Sequence, residues 1–100
     1  MPDRAEPLGI VSTSTGWIVS GEVDAHSAPM LAEALATMPV AQSTLDLGGV
    51  SFMDSSGLRV LVEATKRARA SGGDLVVVNV TNAVSRLVAI GGLSDHLTVR

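Results

Sequence analysis

Two stretches near the start of the chain read as strands. They run from Leu8 to Ser14 and from Gly16 to Gly21, with the two-residue side-chain period of a strand. In the second stretch Trp17, Val19 and Gly21 share one side, and Ile18 and Ser20 share the other. The S-T-S-T-G run between them is turn chemistry, so the pattern predicts a β-hairpin. The period then changes. From Ser27 to Met38, Leu31, Leu35 and Met38 follow at helical spacings of four and three, with Ala28 and Ala34 near the same face. Ser27 stands where an N-cap belongs, and Pro29 falls in the first turn, where its missing N–H does no harm. Pro39 ends this helix. Leu45-Asp46-Leu47 predicts a short strand closed by Gly48-Gly49.

The clearest pattern runs from about Ser56 to Ser71. Leu58, Leu61, Val62, Thr65 and Ala68 line one helical face, and Arg59, Glu63, Lys66 and Arg67 lie opposite. Glu63 precedes Arg67 by four residues, the favourable order for an ion pair along a helix. Gly72-Gly73 predicts a left-handed stop. Leu75 to Val78 is a continuous apolar run, the pattern of a strand covered on both faces. Thr81 or Asn82 caps a third helix carrying Val84, Leu87 and Val88, which Gly91-Gly92 ends. Leu97 to Val99 adds a last short strand. The order ββαβαβαβ with short connections predicts an α/β fold, an open mixed β-sheet with helices packed against it. Residues 1–7 are expected as a loose N-terminus and residues 8–100 as one domain.

Composition narrows the function. A chain of 100 residues has little room for a second domain. With no cysteine, disulfides, thiolate zinc sites and cysteine nucleophiles are excluded. A net charge of −3, no basic block, one Trp, one Phe and no Tyr argue against nucleic acid as a partner. No apolar run approaches the roughly 18 residues that would span a bilayer, so no direct membrane insertion is expected and the chain reads as soluble and cytoplasmic. There is no nucleophile elbow, phosphate loop or zinc-protease motif, no cofactor is indicated, and the chain is not expected to be an enzyme. His26 and His96 have no ligand spacing, and Trp17 belongs to the core face of its strand.

The segment from Val50 to Leu58 joins a strand end to a helix start and places Asp54, Ser55 and Ser56 at that junction. On residue chemistry alone, any of the three could serve as an N-cap. A helix start also offers free N–H groups to an anion, so a phosphoryl group on Ser55 or Ser56 would be stabilised there. Glu22 and Asp24 mark the other strand-to-helix turn, where a carboxylate caps the helix, shapes the chain's approach to it or meets a partner.

The run L-D-L-G-G-V-S-F-M-D-S-S-G-L resembles the hallmark of the STAS domain, in particular the bacterial anti-sigma factor antagonists. Gly21-Glu22-Val23-Asp24 resembles that family's G-E-L-D step into the first helix. Gly72-Gly73-Asp74 with Leu75 to Val78 resembles its glycine turn and following strand. Val84, Leu87, Val88, Gly92 and Leu93 resemble its third helix and the turn beyond. Together these pieces cover nearly the whole chain in order. Members of the family usually finish with a further helix, and this sequence stops at Thr98-Val99-Arg100.

The resemblance implies a partner switch. The unmodified domain binds an anti-sigma factor with serine kinase activity and frees a sigma factor. Phosphorylation on Ser55, or on the neighbouring Ser56, releases it, and a serine phosphatase resets the cycle. Asp24, Met53, Asp54, Ser55, Ser56, Gly57 and Arg59 are the implied partner-facing set, with Met53 expected to be exposed. The family also includes accessory subunits of lipid-transport ATP-binding-cassette complexes and components of stress-sensing assemblies. A domain of that kind would bind independently of phosphorylation.

Overall fold

A computed structural model describes residues 7–37 and 42–100. The hairpin forms as the alternation requires. β1 (Gly9–Ser12) runs antiparallel to β2 (Gly16–Val23), with Val11 opposite Ile18 and Ile10 opposite Val19. Thr13 closes the turn, its hydroxyl accepting from the N–H of Thr15 and Gly16. α1 (Ala28–Ala36) buries Ala28, Leu31 and Leu35. It is followed by Thr37, whose hydroxyl donates to the Ala34 carbonyl at 2.7 Å. The expected contribution of Met38, the stop at Pro39 and the loose residues 1–6 lie outside the described residues.

β3 (Ser43–Met53) differs from the short strand the glycines predicted. It runs through Gly48 and Gly49 because its register against β2 shifts twice. Ile18 pairs with Asp46 but Ser20 with Gly49, and Gly21 pairs with Val50 but Glu22 with Phe52. Each shift places one extra residue on β3, the geometry of a β-bulge. Gly49 fits such a site because a Cβ there would stand 2.8 Å from that of Ser20. The result is a strand long enough to carry Met53 and the following turn beyond the end of β4 (Leu75–Val78), which meets β3 only at Ser43 to Asp46.

α2 (Ser55–Ala70) buries Leu58, Leu61, Ala64, Thr65 and Ala68, while Val62 is half-buried. Gly72, at φ 86°, ends it, and the Gly73 N–H returns to the Ala68 carbonyl at 2.9 Å. The expected Glu63–Arg67 pair does not form. Arg67 reaches instead to the Leu35 carbonyl at 3.5 Å and so ties α2 to α1. α3 (Asn82–Gly91) is stopped by Gly92 in the left-handed region, and a short 3-10 turn (Ser94–His96) leads into β5 (Thr98–Val99).

The sheet order is β1-β2-β3-β4-β5, parallel from β2 onward. Every crossover steps the same way across the sheet, and right-handed connections then set all three helices on one face. Their buried side chains form one core with Trp17, Val19, Leu45, Leu47, Val50, Leu75 and Val77. The other face carries Val11 and Ile18, which are 61% and 45% exposed. β4 is therefore not sandwiched between helices. Val76 is buried on that open face, between Thr44 and Thr98 of the neighbouring strands, rather than under a helix.

Arg69 at the end of α2 bonds the Thr98 hydroxyl at 2.9 Å and the Asp95 carbonyl at 3.3 Å, and it pairs with Asp74 at 3.4 Å. Thr98 in turn donates to Asp74 at 2.6 Å. This clasp holds the two-residue β5 in place. Burial alone would raise the Asp74 pKa, but the bonds from Thr98, the Leu75 N–H and Arg69 outweigh it and hold the carboxyl below its ordinary value.

Candidate functional site

Parallel strands deliver their C-terminal ends to the same edge of the sheet, so the turns after β2 and β3 are neighbours. The Asp54 N–H donates to the Val23 carbonyl at 3.1 Å and pins the two turns together. Asp24 and Asp54, thirty residues apart in the chain, therefore stand at one end of the molecule.

The first turn is organised by Asp24. Its Oδ1 accepts from the N–H of His26 at 3.0 Å, the N–H of Ser27 at 2.9 Å and the Ser27 hydroxyl at 3.1 Å. The backbone donor of Ser27 is the strongest of the effects that hold this carboxyl below its ordinary value, followed by the Ser27 hydroxyl. Ser27 occupies the N-cap position of α1 without capping it through its side chain. Its hydroxyl points back into the turn and accepts from the Asp24 N–H at 3.0 Å. Asp24 thus shapes the chain's approach to α1.

The second turn is organised by Asp54, the N-cap of α2. Its Oδ1 accepts from the N–H of Ser56 at 2.9 Å and of Gly57 at 3.3 Å, and its carbonyl accepts from Leu58 at 3.1 Å. Of the three candidates at this junction, Asp54 is the one whose side chain caps. Ser55 is left as the first residue of the helix, exposed, with its hydroxyl in no hydrogen bond among the described residues. Ser56 is half-buried. The helix start offers less to an anion than the spacing suggested, because a carboxylate already holds the donors of Ser56 and Gly57.

Gly57 is buried for a steric reason. A Cβ there would lie 2.6 Å from Val23 Cγ1 and 2.8 Å from Met53 Cγ, so the first turn of α2 can sit on the strand ends only without one. Met53 is 4% exposed, contrary to the expectation that it faces outward. The bulge between Val50 and Phe52 offsets the alternation, so Met53 as well as Val50 faces inward, toward Val23 and α2, while Phe52 turns outward at 45% exposure. Arg59, one turn along α2, is exposed and has no ion pair among the described residues.

Sequence reasoning missed Phe52 and Met30. Met30 is 55% exposed and borders a shallow depression of about 370 Å³ with Leu8, Glu22, Asp24 and His26. No two-residue period marks Phe52, because Val50 and Met53, three residues apart across a bulge, are both buried; the expected end of the strand at Gly48 also left this stretch outside any strand. His96 lies in the 3-10 turn and His26 in the Asp24 turn. Among the described residues no group of three His, Asp or Glu could hold a metal, and no helix is long and apolar enough to cross a membrane.

The family model described as "Mlab, STAS domain" matches residues 16–99, which include both turns and all three helices. The chain is also 40% identical over 85 residues to the anti-sigma-B factor antagonist of Listeria monocytogenes, covering 82% of this chain and 75% of that protein. The chain belongs to the STAS family, among its anti-sigma factor antagonists. The anti-sigma-B factor antagonist of Bacillus subtilis is 39% identical over 81% of this STAS chain and 76% of its own length. The crystal structure of an anti-sigma factor antagonist from Mycobacterium paratuberculosis superposes with a TM-score of 0.72 at 26% identity, over 93% of this chain and 83% of that one. The single α/β domain with its mixed five-stranded sheet and three helices is thus the STAS fold.

Proposed function

We propose that this STAS domain binds an anti-sigma factor with serine kinase activity through the surface around Ser55, and that phosphorylation of Ser55 releases it. Release of the anti-sigma factor's sigma factor follows from the first step, and a serine phosphatase reverses the second. Family membership supports the partner class. The observation that carries the site is Ser55 itself, exposed at the first position of α2, with its hydroxyl uncommitted beside the Asp54 cap. In the transfer, Ser55 Oγ attacks the γ-phosphorus of Mg-ATP bound to the kinase, ADP leaves and the hydroxyl proton passes to a base on the kinase. This domain is the substrate, and it acts in the cytoplasm, where sigma factors work.

The partner-facing set is Asp24, Asp54, Ser55, Ser56 and Arg59, extended by the exposed Phe52 and Met30. Met53 and Gly57 act from beneath by setting the turn. A phosphoserine brings about −1.5 to −2 charges to a surface where a neutral hydroxyl brought none. Two unit charges 4 Å apart near a protein surface interact by roughly 4 kcal/mol before other costs. Half of that, about 2 kcal/mol, changes affinity by roughly thirtyfold. Repulsion and steric exclusion therefore suffice to operate the switch without refolding the domain.

The test is a quantitative pull-down from native extract with wild type, Ser55→Ala and Ser55→Asp as baits. Retention of an anti-sigma factor by Ser55→Ala, with partial or complete loss by Ser55→Asp, supports the switch. Equal recovery of a transporter ATPase by all three overturns it in favour of an accessory subunit that binds independently of phosphorylation.

A further inference from the structure

An added phosphoryl group at Ser55 needs a counter-charge, and the helix start does not supply one. The N–H groups of Ser56 and Gly57 are held by Asp54 at 2.9 and 3.3 Å, and the Leu58 N–H by the Asp54 carbonyl at 3.1 Å. The adjoining turn, tied on by the bond from the Asp54 N–H to the Val23 carbonyl, places the Asp24 carboxylate at the same end of the molecule. The phosphate thus arrives next to the Asp54 carboxylate, with the donors of Ser56, Gly57 and Leu58 spent.

The cations of α2 differ in what they already do. Arg67 is engaged with the Leu35 carbonyl, and Arg69 with Asp74, Thr98 and Asp95. Arg59 is exposed and without a hydrogen bond or ion pair among the described residues. It stands four residues after Ser55 on the same helix, the spacing at which side chains face each other with the anion on the N-terminal side. A guanidinium also offers the forked donors that match phosphate oxygens.

We propose that in the phosphorylated protein Arg59 takes the Ser55 phosphoryl group as an intramolecular ion pair along the first turn of α2. This inference rests on Ser55 as the acceptor. It adds a second half to the switch: phosphorylation brings negative charge to the surface and also withdraws Arg59 from the partner that the unmodified protein presents it to. The charged and titratable groups at this end of the molecule are then Asp54, Asp24 and Glu22, which repel the phosphate, His26 in the Asp24 turn, Arg59, which holds it, and Glu63, the next residue at this spacing and Arg59's competitor for the same guanidinium.

The test uses full-length protein carrying phosphoserine installed at position 55 during translation, so it does not depend on any kinase. Phosphorus NMR follows the second ionisation of the phosphate, ordinarily near about 6, in wild type, Arg59→Gln, Arg59→Lys and Glu63→Gln. The pair lowers that ionisation in wild type by about half a unit relative to Arg59→Gln, a roughly threefold change in the acid constant. Arg59→Lys falls between them, and Glu63→Gln lies at or below wild type. Nitrogen-edited spectra of the arginine Nε–H groups show the Arg59 signal moving only when the phosphate is present. Identical titrations in wild type and Arg59→Gln, with a stationary Arg59 signal, overturn the ion pair and leave Ser55 as acceptor intact. Failure of any kinase to modify Ser55 overturns the proposed function and leaves this titration unaffected.

Discussion

Gly57→Ala sets two ordinary effects against each other at the centre of the site. In an exposed helix interior the change removes glycine's entropic cost and stabilises by about 1 kcal/mol. Here the new methyl lands 2.6 Å from Val23 Cγ1 and 2.8 Å from Met53 Cγ. Val23 is fully buried and Met53 is 4% exposed, so neither has open space to move into. Overpacking of this kind costs about 1–3 kcal/mol. The clash involves two neighbours at once, so the upper half of that range is expected, and the net loss is about 1–2 kcal/mol. The Met53 side chain is flexible and gives way more readily than Val23, which keeps the figure from being larger. Urea unfolding followed through Trp17, 6% exposed in the folded core, measures it directly. With a slope of about 1–1.5 kcal/mol per molar urea, the midpoint falls by roughly 1 M. A Gly57→Ala protein as stable as wild type, or more so, would refute the claim that this glycine exists to seat α2 on the strand ends.

Other substitutions test neighbouring parts of the account. Asp54→Ala removes the carboxylate that holds two N–H groups and lowers stability by about 1 kcal/mol in the same urea assay, whereas Ser55→Ala leaves the midpoint unchanged because the Ser55 hydroxyl bonds to nothing among the described residues. Ser43 is 1% exposed and its hydroxyl has no partner among the described residues, so Ser43→Ala raises stability by about 1 kcal/mol, read as a melting-temperature increase of several degrees. The Asp74 carboxyl is held below its ordinary 3.8, so the stability it supplies is present above that value and drains away as pH falls through its lower folded value. Asp74→Asn therefore flattens the fall in urea midpoint below about pH 4. Phosphorylation at Ser55 moves amide signals around the two turns and the first turn of α2 and leaves those of β4 and β5 in place.

Most of the architecture was legible because each helix announces itself by its period, and α2 and α3 also by their glycine stops. Gly72 adopts the left-handed backbone expected of it, Gly92 ends α3 in the same conformation, and Trp17 and Val19 face the core as the strand period required. The long third strand was not legible. Gly48-Gly49 resembles a terminator in sequence, and only the pairing with β2 reveals that the extra residues are bulges within a continuing strand. That one misjudged end hid the inward turn of Met53 and the outward turn of Phe52. The continuous apolar run of Leu75 to Val78 overstated its cover for a related reason, since an inner strand shields Val76 with its own neighbours. The junction of Asp54, Ser55 and Gly57 was legible as a strand-to-helix turn, but its geometry was not. Nothing local distinguishes Asp54 as the cap from Ser55 as the free hydroxyl until the N–H groups of Ser56 and Gly57 are seen to point at the carboxylate. The Arg69–Asp74–Thr98 clasp joins three separated segments, and no spacing within the chain foretells it.

The central claim is that Ser55 is the switch between bound and released states. Its most direct measurement is to incubate the protein with an anti-sigma factor kinase and Mg-ATP, map the modified residue by mass spectrometry and follow the complex by size-exclusion chromatography. The account requires one phosphoryl group on Ser55, loss of the complex as it accumulates, and a Ser55→Ala protein that stays bound and unmodified. A complex that persists with Ser55 fully phosphorylated, or dissociates equally in Ser55→Ala, would contradict it.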